Sequence, residues 1–276
     1  MEPGSRHCGI DQGLYDIEEH DLFERVIGRL AFSTNELVAV VLAGGFGRRV
    51  RKLLPNLPKP MAPVLSRPFL EWVVRFLSAQ GVRRILISTG HLGEVIEQHF
   101  RTQPVKVARV RCVRETAPLG TAGGFLHAAA LSEEKPAAWL VMNGDSLALA
   151  SLAGLIQALN SPSFEGVLLG VSLENAARFG TLVLGPDNVL QGFQEKKPGT
   201  GVINAGVYLL RSGLVEKLPE QRPLSFEKEV FPRLIETNVR LKVVVADSPF
   251  LDIGTPESLP MAESFIQANR DWFAAE

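Results

Sequence analysis

The chain has 276 residues, of which 46% are hydrophobic and 21% charged, and its net charge is −1. This balance is that of an ordinary globular protein and argues against a nucleic-acid-binding surface. No basic segment followed by an apolar stretch opens the chain, and no apolar run approaches the ~18 residues that a membrane span needs. The two cysteines, Cys8 and Cys112, form neither a metal-binding nor a redox spacing. We therefore expect a cytoplasmic protein that binds neither nucleic acid nor membranes.

The first 36 residues differ in pattern from the rest of the chain. They are acidic and contain one candidate amphipathic helix, with Leu22, Val26, Ile27 and Leu30 on one face. We interpret residues 1–36 as an N-terminal extension that either packs on the main domain or contacts another subunit, as in a homo-oligomer. Residues 37–276 then form one domain, with a first part (37–150), a second part (151–260) and a C-terminal helix (261–276).

Apolar strands and amphipathic helices alternate from Leu37 onward, which predicts an α/β fold with a mixed, mostly parallel sheet flanked by helices. In the first part we expect strands at 37–42, 84–89, 105–113 and 139–142, and helices at 68–80, 94–100 and 121–131. In the second part, short turns predict more antiparallel pairing among strands at 166–171, 181–184, 189–193 and 203–210. Helices at 225–237 and 256–273, around a strand at 241–245, complete the domain.

A glycine-rich loop follows the first strand, with the sequence Gly44-Gly45-Phe46-Gly47-Arg48-Arg49. Glycines let successive backbone N–H groups point at one anion, so the loop is a candidate phosphate site, although a plain tight turn is the alternative. The GxxxxGK[ST] loop is absent, and the dinucleotide pattern GxGxxG would need glycine where Val50 stands. The prolines that follow also forbid the helix that a dinucleotide fold requires at this point.

Lys59 is the second candidate phosphate ligand. It lies between Pro58 and Pro60, which restrict the backbone and limit where the ammonium group reaches. An exposed loop lysine is the simpler interpretation, but a lysine on a stiff backbone near a Gly-Gly-x-Gly-x-Arg loop favours a phosphate contact.

These segments resemble the signature of the sugar-1-phosphate nucleotidyltransferases. The resemblance rests on motifs that occur in order along the chain: Leu42-Ala43-Gly44-Gly45-Phe46-Gly47-Arg48-Arg49, Pro58-Lys59-Pro60-Met61, Pro118-Leu119-Gly120-Thr121-Ala122-Gly123, Asn143-Gly144-Asp145, Phe179-Gly180-Thr181, Glu195-Lys196, Ile203-Asn204-Ala205-Gly206-Val207-Tyr208 and Asp252-Ile253-Gly254-Thr255-Pro256-Glu257. It implies a Rossmann-like nucleotide-diphospho-sugar transferase fold, with the nucleotide bound by residues 37–150 and the sugar by residues 151–260.

The resemblance also implies roles for individual residues. The catalytic residues would be Arg49, Lys59, Asp145 and Asp252, with the two aspartates binding Mg²⁺. The nucleotide would contact Leu42, Ala43, Gly44, Gly45, Gly47, Arg49, Glu115, Gly120 and Thr121. The sugar phosphate would contact Asn143, Gly180, Glu195, Lys196 and Asn204.

Several of these residues have a structural alternative. Asp145 would equally suit the N-cap of a following helix, and Thr121 the cap or first turn of its own helix. Glu195 and Lys196 are also consistent with a charged turn before Pro198. Asn204 has a stronger case, because an amide within an apolar strand needs hydrogen-bond partners, and Gly206 beside it would keep the pocket wall free of side chains. Arg48 stands where many relatives carry threonine or serine, and we assign it no role.

Within the family, the sequence most resembles the guanylyltransferases that act on D-glycero-D-manno-heptose 1-phosphate. The first hypothesis is therefore that GTP and this heptose phosphate give GDP-heptose and pyrophosphate, for a surface polysaccharide such as a capsule, S-layer or lipopolysaccharide. The alternative within the family is a mannose-1-phosphate guanylyltransferase or another sugar-1-phosphate nucleotidyltransferase, and uridylyl or cytidylyl transfer stays open because base choice depends on a few loop contacts. A non-catalytic regulatory subunit with the same fold is the alternative of another class, but Arg49, Lys59, Asp145 and Asp252 are all present, which argues against a lapsed site.

Overall fold

The computed structural model describes residues 33–194 and 198–274. The candidate amphipathic helix of the N-terminal extension lies outside the described residues, and so do Glu195 and Lys196. The strands are β1 (Val38–Ala43), β2 (Pro63–Val64), β3 (Arg67–Pro68), β4 (Arg84–Thr89), β5 (Arg109–Arg114), β6 (Ala138–Asn143), β7 (Ser146–Ala148), β8 (Gly166–Leu173), β9 (Thr181–Leu184), β10 (Leu190–Gln194), β11 (Gly201–Arg211), β12 (Leu241–Ala246) and β13 (Phe250–Asp252). The α-helices are α1 (Phe69–Ala79), α2 (Gly93–Thr102), α3 (Thr121–Ala130), α4 (Leu152–Asn160), α5 (Ser212–Val215), α6 (Phe231–Glu236) and α7 (Ala262–Ala268).

Four strands of the first part form the parallel half of the central sheet, in the order β5-β4-β1-β6. Side chains of β1 are buried on both faces: Val38 and Val40 pack in one apolar cluster, Ala39 and Val41 in the other. A strand covered on both sides needs apolar residues at every position, which is why β1 shows no alternation of polar and apolar residues. The predicted mostly parallel sheet flanked by helices is confirmed.

The second part adds the antiparallel half, also as predicted. Strand β11 pairs antiparallel with β6, β8 and β9, and β10 pairs antiparallel with β9. The exception is β12, which runs parallel to β8. Strand β11 therefore joins the two halves, since it pairs with β6 of the first part and β8 of the second.

Some boundaries differ from the prediction for local reasons. The strand expected from Val105 begins only at Arg109, because residues 105–108 form a turn in which the N–H of Ala108 donates to the carbonyl of Val105. Helix α4, capped by the Ser151 hydroxyl, was not predicted.

The two predicted C-terminal helices are interrupted. The segment expected as one helix at 225–237 begins with a π-helical turn, Phe226–Val230, before α6. Pro232 lies in the first turn of α6, and because its nitrogen carries no hydrogen it cannot donate to the preceding turn. The helix expected at 256–273 is shortened to α7, with 3₁₀ turns at Leu259–Met261 and Arg270–Phe273.

Among the described residues, no helix combines the length and the apolar character that crossing a membrane requires.

Candidate active site

The glycine-rich loop begins where β1 ends, at the carboxyl edge of the parallel strands, where ligands bind in open α/β sheets. Gly44 is packed against Glu115, since a Cβ at this position would lie 2.7 Å from Oε1 of that glutamate. Gly90, directly after β4, packs equally closely on the backbone of Gly44. A side chain at either glycine would push the loop away from the sheet, so the sequence keeps its phosphate-binding candidate close to the strand ends.

Lys59 is held against this loop. It opens a 3₁₀ turn, Lys59–Met61, after the extended Pro58, which agrees with the stiff backbone expected from the flanking prolines. Gly47 has a φ of +56° and lies so close that a Cβ there would be 2.8 Å from Cβ of Lys59. Glycine is required at position 47 both for its conformation and for this contact.

A cavity of about 350 Å³, called here the basic cavity, lies between the loop and Lys59. Its lining residues are Leu42, Ala43, Gly45, Phe46, Gly47, Arg48, Arg49, Lys59, Pro60, Asp145 and Gly254. Three cations therefore line one space, which suits a polyanion such as a triphosphate. The structure thus brings together most residues of the predicted triphosphate site.

The remaining predicted nucleotide ligands line an adjoining cavity of about 300 Å³, called the inner cavity. Its lining residues are Leu42, Gly44, Gly45, Phe46, Glu115, Pro118, Leu119, Gly120, Thr121, Asn143 and Asp145. Gly120 is the N-cap residue of α3 and Thr121 its first residue, so Thr121 lies in the first turn, one of the two positions considered for it. The two cavities share Asp145, which therefore lies between them.

Glu115 is fixed by two hydrogen bonds at the edge of the inner cavity. Its Oε1 accepts from Oγ of Ser88 at 2.8 Å, and its Oε2 accepts from the N–H of Leu119 at 3.2 Å. These two bonds leave the carboxylate with unused acceptor capacity. Ser88 was not singled out from the sequence, because a serine inside an apolar strand carries no motif.

Asp145 and Asp252 come together through two short strands. Strands β7 and β13 pair antiparallel, with Ser146 opposite Asp252, and the N–H of Ile253 donates to the carbonyl of Asp145 at 3.0 Å. The helix-cap alternative for Asp145 is wrong, because the residues after it form β7 rather than a helix. Its carboxylate instead forms an ion pair with Lys59.

The surroundings of Asp252 change its acidity. Burial raises the pKa of Asp252, and the negative charge of Asp145 raises it further, while Lys59, the N–H of Gly254 and Arg49 oppose both effects. A divalent cation between the two would relieve this repulsion. Two carboxylates match the ligand preference of Mg²⁺, which takes few protein ligands and fills the remaining positions with phosphate and water oxygens. The donor set therefore fits Mg²⁺, and its binding here stays a prediction.

Of the predicted sugar-side residues, Asn143 lines the inner cavity. Asn143 ends β6, and a Cβ on Gly206 of β11 would lie 2.2 Å from its Nδ2. The sequence led us to expect that Gly206 keeps the pocket wall free of side chains. In the structure, Gly206 instead makes room for the Asn143 side chain. Asn204 lies in β11 as predicted, and Gly180 precedes β9. The sugar-binding roles of these residues stay predictions.

Phe46 is a site residue that the sequence did not indicate. It is 44% exposed, lines both cavities, and its ring lies 5.3 Å from that of His91. The guanidinium of Arg48 lies over the same ring at 5.7 Å. A large exposed aromatic residue within a glycine loop was the signal that could have identified it.

Comparison with known proteins agrees with this geometry. The sequence model of the family described as Nucleotidyl transferase matches residues 38–269. The mannose-1-phosphate guanylyltransferase of Mycobacterium tuberculosis is 33% identical over 228 residues, which are 82% of this chain and 63% of that enzyme, just under two thirds of its length. The D-glycero-alpha-D-manno-heptose 1-phosphate guanylyltransferase of Aneurinibacillus thermoaerophilus is 28% identical over 229 residues, which are 83% of this chain and 98% of that enzyme.

Among solved structures, HddC from Yersinia pseudotuberculosis, complexed with GMP-PN, superposes with a TM-score of 0.72 at 30% sequence identity. The similarity covers 82% of this chain and 97% of HddC. The resemblance inferred from the ordered motifs is thereby confirmed. Because the family match spans most of the chain and relatives match it in both sequence and fold, the chain belongs to the Nucleotidyl transferase family and is an enzyme of the sugar-1-phosphate nucleotidyltransferase type.

Proposed function

We propose that this enzyme transfers GMP from GTP to D-glycero-D-manno-heptose 1-phosphate, giving GDP-heptose and pyrophosphate for surface polysaccharide synthesis. The observation that carries the proposal is the arrangement of the site: a cavity lined by three cations joins, at Asp145, a second cavity whose edge holds the carboxylate of Glu115. The first suits a triphosphate, and the second suits a purine with hydrogen-bond donors on its edge.

The chemistry is an in-line attack by a phosphate oxygen of the sugar phosphate on the α-phosphorus of GTP. The new P–O bond forms as the bond to the β-phosphate oxygen breaks, and the electron pair leaves with pyrophosphate. No covalent enzyme intermediate is needed, so the protein has to align two anions and neutralise the charge that develops. Arg49 and Lys59, both in the basic cavity, are placed to do this for the leaving pyrophosphate and the reacting phosphates.

Asp145 and Asp252 would hold Mg²⁺, which when bound supplies positive charge next to the phosphate oxygens. Asp145 also positions Lys59, because the two form an ion pair. The ammonium group is thereby kept beside Asp145, which lines both cavities, and so close to where the α-phosphate of a nucleotide spanning both would lie.

Guanine is favoured by the hydrogen-bonding character of Glu115. The Watson–Crick edge of guanine presents two adjacent donors, N1–H and the 2-amino group, and an ionised carboxylate accepts from both. Adenine presents an acceptor at N1, and uracil and thymine place two carbonyl oxygens beside a single N–H, so each would set an acceptor against the carboxylate. Hydrogen bonds from Ser88 and Leu119 hold Glu115 in place, so it cannot turn away from a wrong base without losing them.

Heptose is preferred as the sugar because the similarity to the heptose enzyme of Aneurinibacillus thermoaerophilus extends over 98% of that enzyme. Mannose 1-phosphate is the second candidate. The mannose enzyme of Mycobacterium tuberculosis has the higher identity, 33%, but this chain spans only 63% of it. Heptose and mannose of this configuration share the pyranose ring and differ in the side chain attached at C5. Discrimination between the two sugars therefore depends on the part of the sugar site that faces this side chain.

The test is a matrix of the four common nucleoside triphosphates against a panel of sugar 1-phosphates, with Mg²⁺, followed by pyrophosphate release. We expect the highest kcat/KM with GTP and the heptose phosphate, and little turnover by an Asp145→Asn variant. A preference for mannose 1-phosphate would replace the proposed sugar, and a preference for another base would contradict the role of Glu115. No turnover with any pair would overturn the proposed reaction.

A further inference from the structure

Tyr208 is the centre of a chain of hydrogen bonds that the proposed mechanism does not use. Its side chain is fully buried, and its ring packs between Phe226 and Phe231, with centroid distances of 5.1 and 4.9 Å. Its hydroxyl accepts from Nδ2 of Asn204 at 2.8 Å and donates to Oε1 of Glu227 at 3.0 Å. Phenylalanine would pack equally well in such an aromatic environment. The presence of a hydroxyl group is therefore explained by its two polar partners.

Glu227 extends this chain to the nucleotide side of the site. Its second oxygen, Oε2, accepts from Oγ of Ser225 at 2.9 Å and from Oγ1 of Thr121 at 3.3 Å. Thr121 begins α3 and lines the inner cavity, and its hydroxyl oxygen also accepts from the N–H of Phe226. One carboxylate therefore contacts a residue predicted to bind the nucleotide and, through Tyr208, a residue predicted to bind the sugar phosphate.

The same segment holds the start of α3 through its backbone. The carbonyl of Leu224 accepts from the N–H groups of Ala122 and Gly123, both at 3.0 Å, and the N–H of Leu224 donates to the carbonyl of Leu119 at 2.8 Å. Residues 224–227 thus contact the nucleotide-side turn at several points, and Glu227 is the residue among them whose side chain accepts a hydrogen bond from Tyr208 of β11.

The direction of the hydrogen bonds determines how the Asn204 amide is oriented. A tyrosine hydroxyl has one hydrogen, and an ionised carboxylate only accepts, so Tyr208 must donate to Glu227 and accept from Asn204. Burial, with the charge of Glu227, raises the pKa of Tyr208 well above its usual value, which keeps that hydrogen in place. The amide nitrogen of Asn204 consequently faces Tyr208, and its Oδ1 accepts from the N–H of Gly206 at 3.0 Å.

This orientation defines what Asn204 offers a ligand. Each terminal amide has two N–H hydrogens and two acceptor lone pairs. Within residues 33–194 and 198–274, Tyr208 takes one hydrogen and Gly206 uses one lone pair, so one donor and one acceptor remain. A donor and an acceptor on one rigid group match a sugar hydroxyl, which both accepts and donates. If the amide were free to flip, the remaining donor and acceptor would exchange places. The fit to the sugar hydroxyl would then be lost in half of the molecules.

We infer that Glu227 is a positioning residue that orients the Asn204 amide through Tyr208 and holds Thr121 at the same time, so that the sugar and nucleotide sides of the site are organised by one carboxylate. This inference rests on the proposed function, in which Asn204 contacts the sugar. It places Glu227 outside the set of groups that touch the substrates.

The test compares Tyr208→Phe and Glu227→Gln with the wild-type enzyme, using the nucleotide and sugar 1-phosphate that the wild type turns over fastest. For Tyr208→Phe we expect the KM for the sugar phosphate to rise about tenfold, and the KM for the nucleotide to stay within about twofold, since that variant leaves the contact of Glu227 with Thr121 intact. For Glu227→Gln we expect both KM values to rise. A glutamine whose oxygen accepts from Ser225 and Thr121 must turn its NH₂ group toward Tyr208. The Tyr208 hydroxyl would then accept from residue 227 and donate to Asn204, so the Asn204 amide would have to turn its oxygen toward Tyr208.

Two controls separate positioning from general damage. Glu236→Gln makes the same chemical change on an exposed side chain at the end of α6, and should leave both KM values unchanged. Thermal unfolding of each variant reports whether it is folded. In an Asn204→Ala background, Tyr208→Phe should have no further effect on the KM for the sugar phosphate, because the group it orients is gone.

The wild-type enzyme could turn over its substrates while both folded variants keep the wild-type KM for the sugar phosphate. That result would overturn this inference and leave the proposed function intact. An equal effect of Tyr208→Phe with and without Asn204 would also overturn it. Absence of turnover by the wild type with every pair would overturn the proposed function, and this inference with it.

Discussion

Lys59 forms an ion pair with Oδ2 of Asp145, and the two side chains are only 13% and 29% exposed. The lysine comes from the proline-rich loop and the aspartate follows β6, so the pair joins two segments that are far apart in sequence. Before substrates bind, each charge neutralises the other. In the proposed reaction, Lys59 would contact the phosphates of the nucleotide and Asp145 would help to hold Mg²⁺.

A first prediction concerns that lysine. Lys59→Gln should lower kcat by about 100-fold or more, since it removes a fixed cation from the site where charge develops. The matched control is Lys52→Gln, which changes an exposed lysine of the same loop that lines neither the basic nor the inner cavity. Pyrophosphate release under saturating substrates measures both. Comparable rates for the two variants would show that Lys59 is not part of the phosphate site.

A second prediction concerns the glycine beside Lys59. Gly47→Ala should destabilise the fold by about 1–2 kcal/mol, because alanine is strained at a φ of +56°. It should also lower activity, because the new Cβ would lie 2.8 Å from Cβ of Lys59 and displace it. Gly213→Ala is the control, since a Cβ there meets nothing within 4 Å. Denaturant unfolding and steady-state kinetics check the two effects, and full activity of Gly47→Ala would contradict the second.

A third prediction concerns base selection. Glu115→Gln should lower kcat/KM for GTP by about tenfold or more, since an amide cannot accept from both donors of guanine. The loss for ATP should be smaller, so the GTP to ATP ratio falls. Glu133→Gln, at a side chain that is 82% exposed, is the control. An unchanged GTP to ATP ratio would show that Glu115 packs against Gly44 but does not select the base.

A fourth prediction concerns acid stability. Burial alone raises the pKa of Glu71, but hydrogen bonds from Arg75 and His99 and the charges of Arg67 and Arg75 outweigh it and leave the pKa below its usual value. A carboxyl with a depressed pKa in the folded state stabilises the fold above its unfolded pKa of about 4.3. That stabilisation is lost as the pH falls through the folded pKa.

The free energy of unfolding should therefore decline below about pH 4.3, and the decline should be shallower in Glu71→Gln, which should also be less stable at pH 7. Urea unfolding at several pH values measures both quantities. Glu94→Gln, which alters a side chain 61% exposed, should keep the wild-type decline. Parallel pH profiles for wild type and Glu71→Gln would exclude Glu71 as a contributor.

A fifth prediction concerns Cys112. Burial, with the negative charge of Glu97, raises the pKa of its thiol to about 12. Because the thiolate is the reactive form, labelling at pH 8 should be on the order of 1000-fold slower than for an ordinary cysteine. A Cys8→Ser variant isolates this thiol, and the same protein in urea gives the unhindered rate. Rapid labelling of the folded variant would contradict the raised pKa of Cys112, which is half-buried in β5.

The alternating pattern of apolar strands and helices was sufficient to predict the parallel half of the sheet. Strand β1 is apolar throughout because both of its faces are covered, and this is visible in the sequence itself. Strands β7 and β13 were not predicted. Each has three residues, too few for a periodic pattern, and they form because they pair with each other. The π-helical turn before α6 also has no simple sequence signal beyond Pro232.

The sequence by itself determined the glycine loop and its candidate phosphate ligands, because the glycines, arginines and flanking prolines act on neighbouring backbone. Only the tertiary structure decided which distant groups meet: Lys59 with Asp145, Asp145 beside Asp252, and Glu227 with both Thr121 and Tyr208. These contacts arise from strand pairing and from the packing of residues 224–227 on α3. Local composition determines what a segment can bind, whereas the relative positions of two segments depend on every element packed between them.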